Sequence, residues 1–334
     1  LEIAARGLAA RPDHSLIGKK FGSYQIISVL GVGGMGEVYL ARDERLGRQL
    51  ALKLLPAQYV KDSGRIERFA REARAVSALN HPNIVTVYDI GETEGTHFIA
   101  MEHVDGMTLR DKLLTMRHGQ SDPREIVEIA LQISAALAAA HEAGIIHRDI
   151  KPENLMLRRD DYLKVLDFGL AKLANPNTLT EIESIHTQKG VIMGTAAYMS
   201  PEQIRGKDVS SKSDIYALGL VLYEIFTGKQ AFSANSIPEL IKKHQTETPT
   251  NPSEYVKGID PLVESVIGQC LEKNPDSRPQ SALHVAMALP GGNPMQIALE
   301  AGETPSPEMV AEATGAHALS RRAALLLAIA LILA

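Results

Sequence analysis

The chain has 334 residues, 45% of them hydrophobic and 22% charged, ordinary globular values that exclude a disordered chain and allow one large bilobal domain or two medium ones. A formal net charge of −5, with no block of Lys and Arg, argues against general affinity for nucleic acid or acidic membranes. The single cysteine, Cys270, excludes an internal disulfide framework. Its place in the apolar helical pattern Val263-Ile267-Cys270-Leu271 predicts a buried structural thiol.

Residues 1–23 are expected to be a leader, mixing a short helical pattern with Pro12, Gly18, Lys19 and Lys20. The start at Leu1, without a charged region followed by an apolar one, gives no signal peptide and points to a fragment or a processed start. Over residues 24–104, β-type runs dominate at 24–30, 38–41, 49–55, 84–88 and 97–101, separated by turn residues such as Gly47 and Gly95. One helix interrupts them, with Ile66, Phe69, Ala73 and Val76 at helical spacing.

After Gly106 the pattern turns helical. Residues 124–143 carry Ile126, Ile129, Ile133, Leu137 and Ala140 on one stripe and stop at Gly144. Residues 213–227 are apolar nearly all round and end at Gly228, which predicts a buried helix. Between these two lie short strands at 155–157 and 163–166, and further helices are expected around 238–245, 261–273 and 280–289. The reading is α+β: a small β-rich lobe over 24–104, then a larger, mainly helical lobe over 105–288.

Residues 289–320 lose periodicity and read as a juxtamembrane linker. Residues 323–334 are uniformly apolar and follow Arg321-Arg322, the flank of a membrane helix. A span needs about 20 residues, so 321–334 is expected to be the start of a truncated transmembrane helix. The alternative is a helix packed on the core, which should show a polar face.

The stretch Leu30-Gly31-Val32-Gly33-Gly34-Met35-Gly36-Glu37-Val38 sets glycines between two strands. Only Gly lets backbone approach phosphate oxygens with its N–H groups free; a Gly-rich hairpin turn is the bland alternative. The same spacing opens dinucleotide-binding folds, but there a helix follows. Here Val38-Tyr39-Leu40 continues as a strand, which excludes that fold. Lys53 ends the apolar run Leu50-Ala51-Leu52, and a lysine so embedded is costly unless paired. Glu72, on the flank of the lone helix, is the expected partner. Singly each would be a surface charge; together they read as a pair aimed at a nucleotide's phosphates.

The stretch His147-Arg148-Asp149-Ile150-Lys151-Pro152-Glu153-Asn154, followed by Asp167-Phe168-Gly169, resembles the H-R-D-x-x-x-x-N and D-F-G motifs of the protein-kinase family. Ser200-Pro201-Glu202 stands where the family has A-P-E. The resemblance covers residues 24–288. Within the family, Gly-Gly-Met-Gly in the loop and the stretches 147–157 and 194–206 look most like bacterial, eukaryotic-like (Hanks-type) receptor kinases. It implies a bilobal protein-kinase fold, ATP and Mg²⁺ as cofactors, and transfer of the γ-phosphoryl group to protein Ser and Thr hydroxyls.

By that resemblance, Asp149, Lys151, Lys53 and Asn154 would be catalytic, with Asp149 taking or orienting the substrate proton. Asn154 and Asp167 would hold Mg²⁺. Leu30, Gly31, Gly33, Gly34 and Gly36 would cover the nucleotide, Lys53 would hold its phosphates and Glu72 would position Lys53. Met101 takes the gatekeeper place, backbone groups of Glu102 and Val104 would bond adenine, and Val38, Ala51 and Met156 would sandwich it. Lys151 and Thr195 match the serine/threonine branch. Asp214 would hold the catalytic loop's backbone and Arg278 would pair with Glu202, both as structural residues. Residues 170–194 form the activation segment, with Thr187 the first phosphosite candidate, then Ser184 and Thr180. Arg148, otherwise an unpaired cation, and Lys172 would receive that phosphate.

The implied partners are Ser/Thr-bearing proteins, a second copy for trans-autophosphorylation, and a membrane through the C-terminal run, with no nucleic acid. The implied setting is a single-pass membrane sensor kinase with a cytoplasmic kinase domain. A pseudokinase scaffold is the competing reading, but it would usually lose the lysine, an aspartate or the glycines, all kept here. A small-molecule kinase of similar fold would lack Ser200-Pro201-Glu202 and Arg278.

Overall fold

The β-type runs of the first lobe join in one antiparallel sheet. In the computed structural model, which describes residues 14–33, 36–55, 71–115, 122–168 and 196–292, six strands pair in the order β1-β2-β3-β4-β6-β5. They are β1 (Lys20–Phe21), β2 (Tyr24–Gly33), β3 (Gly36–Asp43), β4 (Arg48–Leu54), β5 (Val87–Thr93) and β6 (Thr96–Met101). The two-residue period of a strand sorts side chains between two cores. Ile26, Tyr39, Leu50, Leu52 and Phe98 fill a core on one face. Ala51, Ile99 and Met101 on the other join the large core shared with the helical lobe.

The strand expected at 84–88 begins only at Val87. Its first residues are drawn away by the other lobe: Val85 N–H donates to Val165 O at 3.0 Å and Val165 N–H to Asn83 O at 2.8 Å. Helix α1 includes residues 71–77, with Ala73 and Val76 buried as its stripe requires; Ile66 and Phe69 lie outside the described residues.

Two elements escaped the periodicity. Strand β7 (Gly106–Thr108) pairs with β8 (Leu155–Arg158), which pairs with β9 (Leu163–Val165). A Cβ at Gly106 would lie 1.9 Å from the Leu157 carbonyl oxygen, so that contact admits only glycine. Helix α2 (Leu109–Thr115) follows directly.

Helix α3 (Pro123–Glu142) is capped by Asp122, whose side chain accepts from Arg124 N–H. It gives way to Gly144 at φ +73°. Helix α4 (Pro201–Ile204) precedes α5 (Ser211–Thr227), which is buried along nearly its whole length and ends on Gly228 in the left-handed conformation. Against α5 pack α7 (Pro261–Cys270) and, through Tyr216 and His244, α6 (Ile237–Thr246), while α8 (Ala282–Ala288) packs on α3 and α7. Gly219 of α5 lies so close to α7 that a Cβ there would sit 2.6 Å from Cys270 Cβ. Cys270 is fully buried, and that burial pushes its thiol up to about 12. It is the structural thiol expected.

Arg278 binds Glu202 at 2.7 and 2.9 Å, as expected, and Ser213 donates to the same carboxylate at 2.6 Å. Burial alone would raise the Glu202 carboxyl, but the bonds from Arg278 and Ser213 outweigh it and hold the group below its ordinary value. Among the described residues no helix is long and apolar enough to cross a membrane; residues 293–334, with the apolar run, lie outside them.

His244 on α6 is fully buried, its ring 4.8 Å from that of Phe232 and its Nδ1 3.3 Å from Tyr216 Oη. Burial, with the charge of Lys273, lowers its pKa from 6.5 to about 3. The folded protein therefore keeps this imidazole neutral where the unfolded chain protonates it. Between those two values the unfolded state binds more protons, so stability falls as pH drops below 6.5. We expect urea unfolding to show a loss about 1 kcal/mol larger in wild type than in His244→Asn between roughly pH 7.5 and 5.5. Equal losses would contradict this.

Candidate active site

Strand register puts the expected nucleotide residues on one sheet face. Val38 of β3 stands opposite Lys53 of β4, and Ala51, two residues back, stands opposite Met101 of β6. Directly opposed residues project to the same side, as do i and i+2. Val38, Ala51, Lys53 and Met101 therefore share the face turned to the large core. Met156 packs against the same core from β8. The glycine loop is the hairpin between β2 and β3, with Gly31 opposite Val38 and Gly33 opposite Gly36; Gly34 lies outside the described residues. Leu30, at 46% exposure, stands at the open side of this hairpin.

After Met101 the chain leaves the sheet through Glu102 and Val104. Among the described residues neither the Glu102 carbonyl nor the Val104 N–H takes a hydrogen-bond partner, which leaves both for a base edge.

The loop between α3 and β8 is built around a carboxylate from α5. Asp214 accepts His147 N–H and Arg148 N–H, each at 2.7 Å, and lies 2.8 Å from His141 Nε2. His147 is fully buried, and burial lowers its pKa and keeps it neutral. Its Nε2 lies 2.8 Å from the Leu166 carbonyl, which only accepts, so Nε2 carries the proton. Its Nδ1 then accepts Asp149 N–H at 3.2 Å. Phe168, also buried, packs against this imidazole with ring centroids 4.6 Å apart and the rings tilted by 50°.

Asp149 is 6% exposed, and its Oδ2 accepts Lys151 Nζ at 2.8 Å and Asn154 Nδ2 at 3.1 Å. Asn154 Nδ2 also donates to the Asp149 carbonyl at 2.8 Å. With its NH₂ committed there, the amide oxygen of Asn154 is left as a donor atom for a cation. Asp167 supplies the second hard oxygen donor. Among the described residues no group of three or more His, Cys, Asp or Glu could hold a metal alone. One amide and one carboxylate fit Mg²⁺, which completes its octahedron with phosphate oxygens and water.

Lys53 and Glu72 do not pair as expected. Lys53, 4% exposed, puts Nζ 2.8 Å from Asp167 Oδ1, while Glu72 Oε1 lies 3.6 Å from Arg148 Nη1. A buried ammonium requires a carboxylate, and Asp167 is the one within reach. Arg148 is correspondingly an ion-pair partner of α1 rather than the unpaired cation expected. Lys172, Thr195, Gly169 and the candidates Thr180, Ser184 and Thr187 lie outside the described residues.

Two groups of residues were missed. Arg110 of α2 binds Glu153 at 2.8 Å and Glu224 of α5 at 2.6 Å, tying the loop after Asp149 to the core helix; nothing in the local pattern signals it. Lys164 binds Glu102 at 2.9 Å, and its signal was the one that marked Lys53, a lysine inside an apolar strand.

The family described as protein kinase domain matches residues 24–288. The chain is similar to serine/threonine-protein kinase PknB of Mycolicibacterium smegmatis, 44% identical over 78% of this chain and 41% of that protein. It is also similar to serine/threonine-protein kinase PrkC of Bacillus subtilis, 42% identical over 80% of this chain and 40% of that protein. The solved kinase domain of Mycobacterium tuberculosis PknI superposes with a TM-score of 0.64 at 28% identity, covering 81% of this chain and 96% of that one. The chain spans about two fifths of the length of the curated relatives it matches.

Proposed function

The chain belongs to the protein kinase family, and from that premise we propose that it is a serine/threonine protein kinase transferring the γ-phosphoryl group of ATP to protein hydroxyls. The observation that carries this reading is the buried carboxylate of Asp149, held by Lys151 and Asn154. The substrate hydroxyl oxygen would bond to the γ-phosphorus while its bond to the β–γ bridging oxygen breaks and ADP departs, with the hydroxyl proton passing to Asp149. Lys151 Nζ, beside Asp149, would offset charge on the transferring group. Lys53 would bind the α- and β-phosphates once drawn from Asp167. Asn154 and Asp167 would hold Mg²⁺, whose charge would offset that of the phosphates. Glu102 and Val104 backbone groups would meet adenine between Val38, Ala51 and Met156, beneath the 30–36 hairpin. Lys151 and the named activity of the relatives support Ser/Thr over Tyr.

Regulation follows from the Arg148–Glu72 pair. A phosphate on the 170–194 segment, about −1.5 to −2 charges, would compete for Arg148 and release Glu72 toward Lys53. A second copy of the chain would be the phosphorylating enzyme. The linker 289–320 and the apolar run after Arg321-Arg322 support anchoring in a membrane with the kinase domain on the cytoplasmic side.

Asp149→Asn, Lys53→Met and Asp167→Asn should each stay folded by circular dichroism. Each should lose on the order of 10²–10³ in phosphate transfer from labelled ATP to a basic protein. Substantial turnover by Asp149→Asn would sink the assignment. Mass spectrometry after incubation with ATP and Mg²⁺ should find phosphate at Thr187, or next at Ser184 or Thr180, faster per enzyme at higher protein concentration; a fully active enzyme unmodified there would refute the regulation. Deleting residues 293–334 should leave turnover and melting temperature nearly unchanged but abolish binding to phospholipid vesicles. A clear loss of stability would instead favour a tail packed on the helical lobe.

A further inference from the structure

Lys164 lies on β9, three residues before Asp167, with its side chain only 9% exposed. Its Nζ donates to Glu102 Oε2 at 2.9 Å and to the Ile84 carbonyl at 3.3 Å. The same Glu102 oxygen accepts Thr86 N–H at 3.3 Å, and Glu102 N–H donates to Thr86 O at 2.8 Å. Three segments therefore meet at one ammonium. They are the strand leading to Asp167, the loop after α1, and the first residue of the connection between the lobes.

We propose that Lys164 is a positioning residue for nucleotide binding, holding the Glu102 backbone in register with Asp167. This rests on the ATP-dependent reading above. Glu102 has a double task there. Its backbone faces adenine, and its side chain, 19% exposed, is tied to the C-terminal lobe by Lys164. The tie is short, charged and largely out of water, conditions under which an ion pair fixes geometry more firmly than at the surface. The strand that supplies Lys164 also ends on the carboxylate proposed for the metal. One side chain thus couples the adenine end of the cleft to its phosphate end. Lys164 touches no reacting atom in this scheme, so its loss should appear in nucleotide affinity rather than in the chemical step.

The experiment measures binding of ADP with Mg²⁺ by calorimetry, and ATP KM and kcat, for wild type, Lys164→Met, Lys164→Arg, Glu102→Gln and the Lys164→Met/Glu102→Gln pair. Lys164→Met should weaken ADP and raise ATP KM about five- to tenfold, with kcat and the protein-substrate KM within about twofold. Lys164→Arg should restore affinity to within about twofold, and the double variant should be no weaker than the worse single one, because both act through one contact. Where Lys164→Met fails to fold, Glu102→Gln and the double variant, which leaves neither charge unpaired, carry the same comparison. Unchanged ADP affinity in folded variants of an active wild type overturns the positioning role alone. A fall in melting temperature without a shift in ATP KM overturns it too, by showing a purely structural contact. A wild type that binds no ADP overturns the kinase reading itself.

Discussion

The carboxylate of Asp214 is the contact on which the site is built. It is 1% exposed, and an isolated charge at that depth would be prohibitively costly. It is tolerated because it sits in the first turn of α5, at the positive end of the helix dipole, and accepts two backbone N–H groups from His147 and Arg148. The most buried helix of the large lobe thereby dictates the path of the loop that carries Asp149. Charge-assisted bonds to backbone are among the stronger ones available, and here they fix main chain rather than a mobile side chain.

That fixation is needed because the loop is strained. Arg148 has φ +67° and Asp167 φ +53°, left-handed conformations that cost non-glycine residues about 1–3 kcal/mol each. Around Arg148, Asp214 holds the N–H, and Gln203 of α4 donates to its carbonyl at 2.9 Å. Around Asp167, Phe168 is anchored on His147 and Lys53 holds the side chain. Both unfavourable residues flank the proposed chemistry. The surroundings over-determine a backbone that the local sequence would not choose.

Charge pairing in the cleft is distributed among few partners. Lys53 with Asp167 and Glu72 with Arg148 form two pairs where the sequence suggests one. Exposed pairs of this kind are worth little, and the Glu72–Arg148 pair is about 30% exposed on both sides. It contrasts with the buried Glu202–Arg278 pair, which holds the segment around α4 to the helical lobe.

The sequence by itself determined the order of the elements, because two-residue and helical periods reflect burial on one face, and glycines at 144 and 228 stop their helices. It also marked Asp149, Asn154 and Asp167 as the candidate site, because those residue types at that spacing lie within one continuous stretch. Tertiary structure alone decided the partners of buried charges. Which carboxylate meets Lys53, which meets Arg148, and that Lys164 rather than solvent faces Glu102 depend on how α1, β9 and the lobe connection approach one another; Lys164 and Glu102 are 62 residues apart, and Arg110 and Glu224 114. The short strand β7 and the late start of β5 belong with these. Each is set by hydrogen bonds to a strand from the other part of the chain, and no local period encodes a partner that distant.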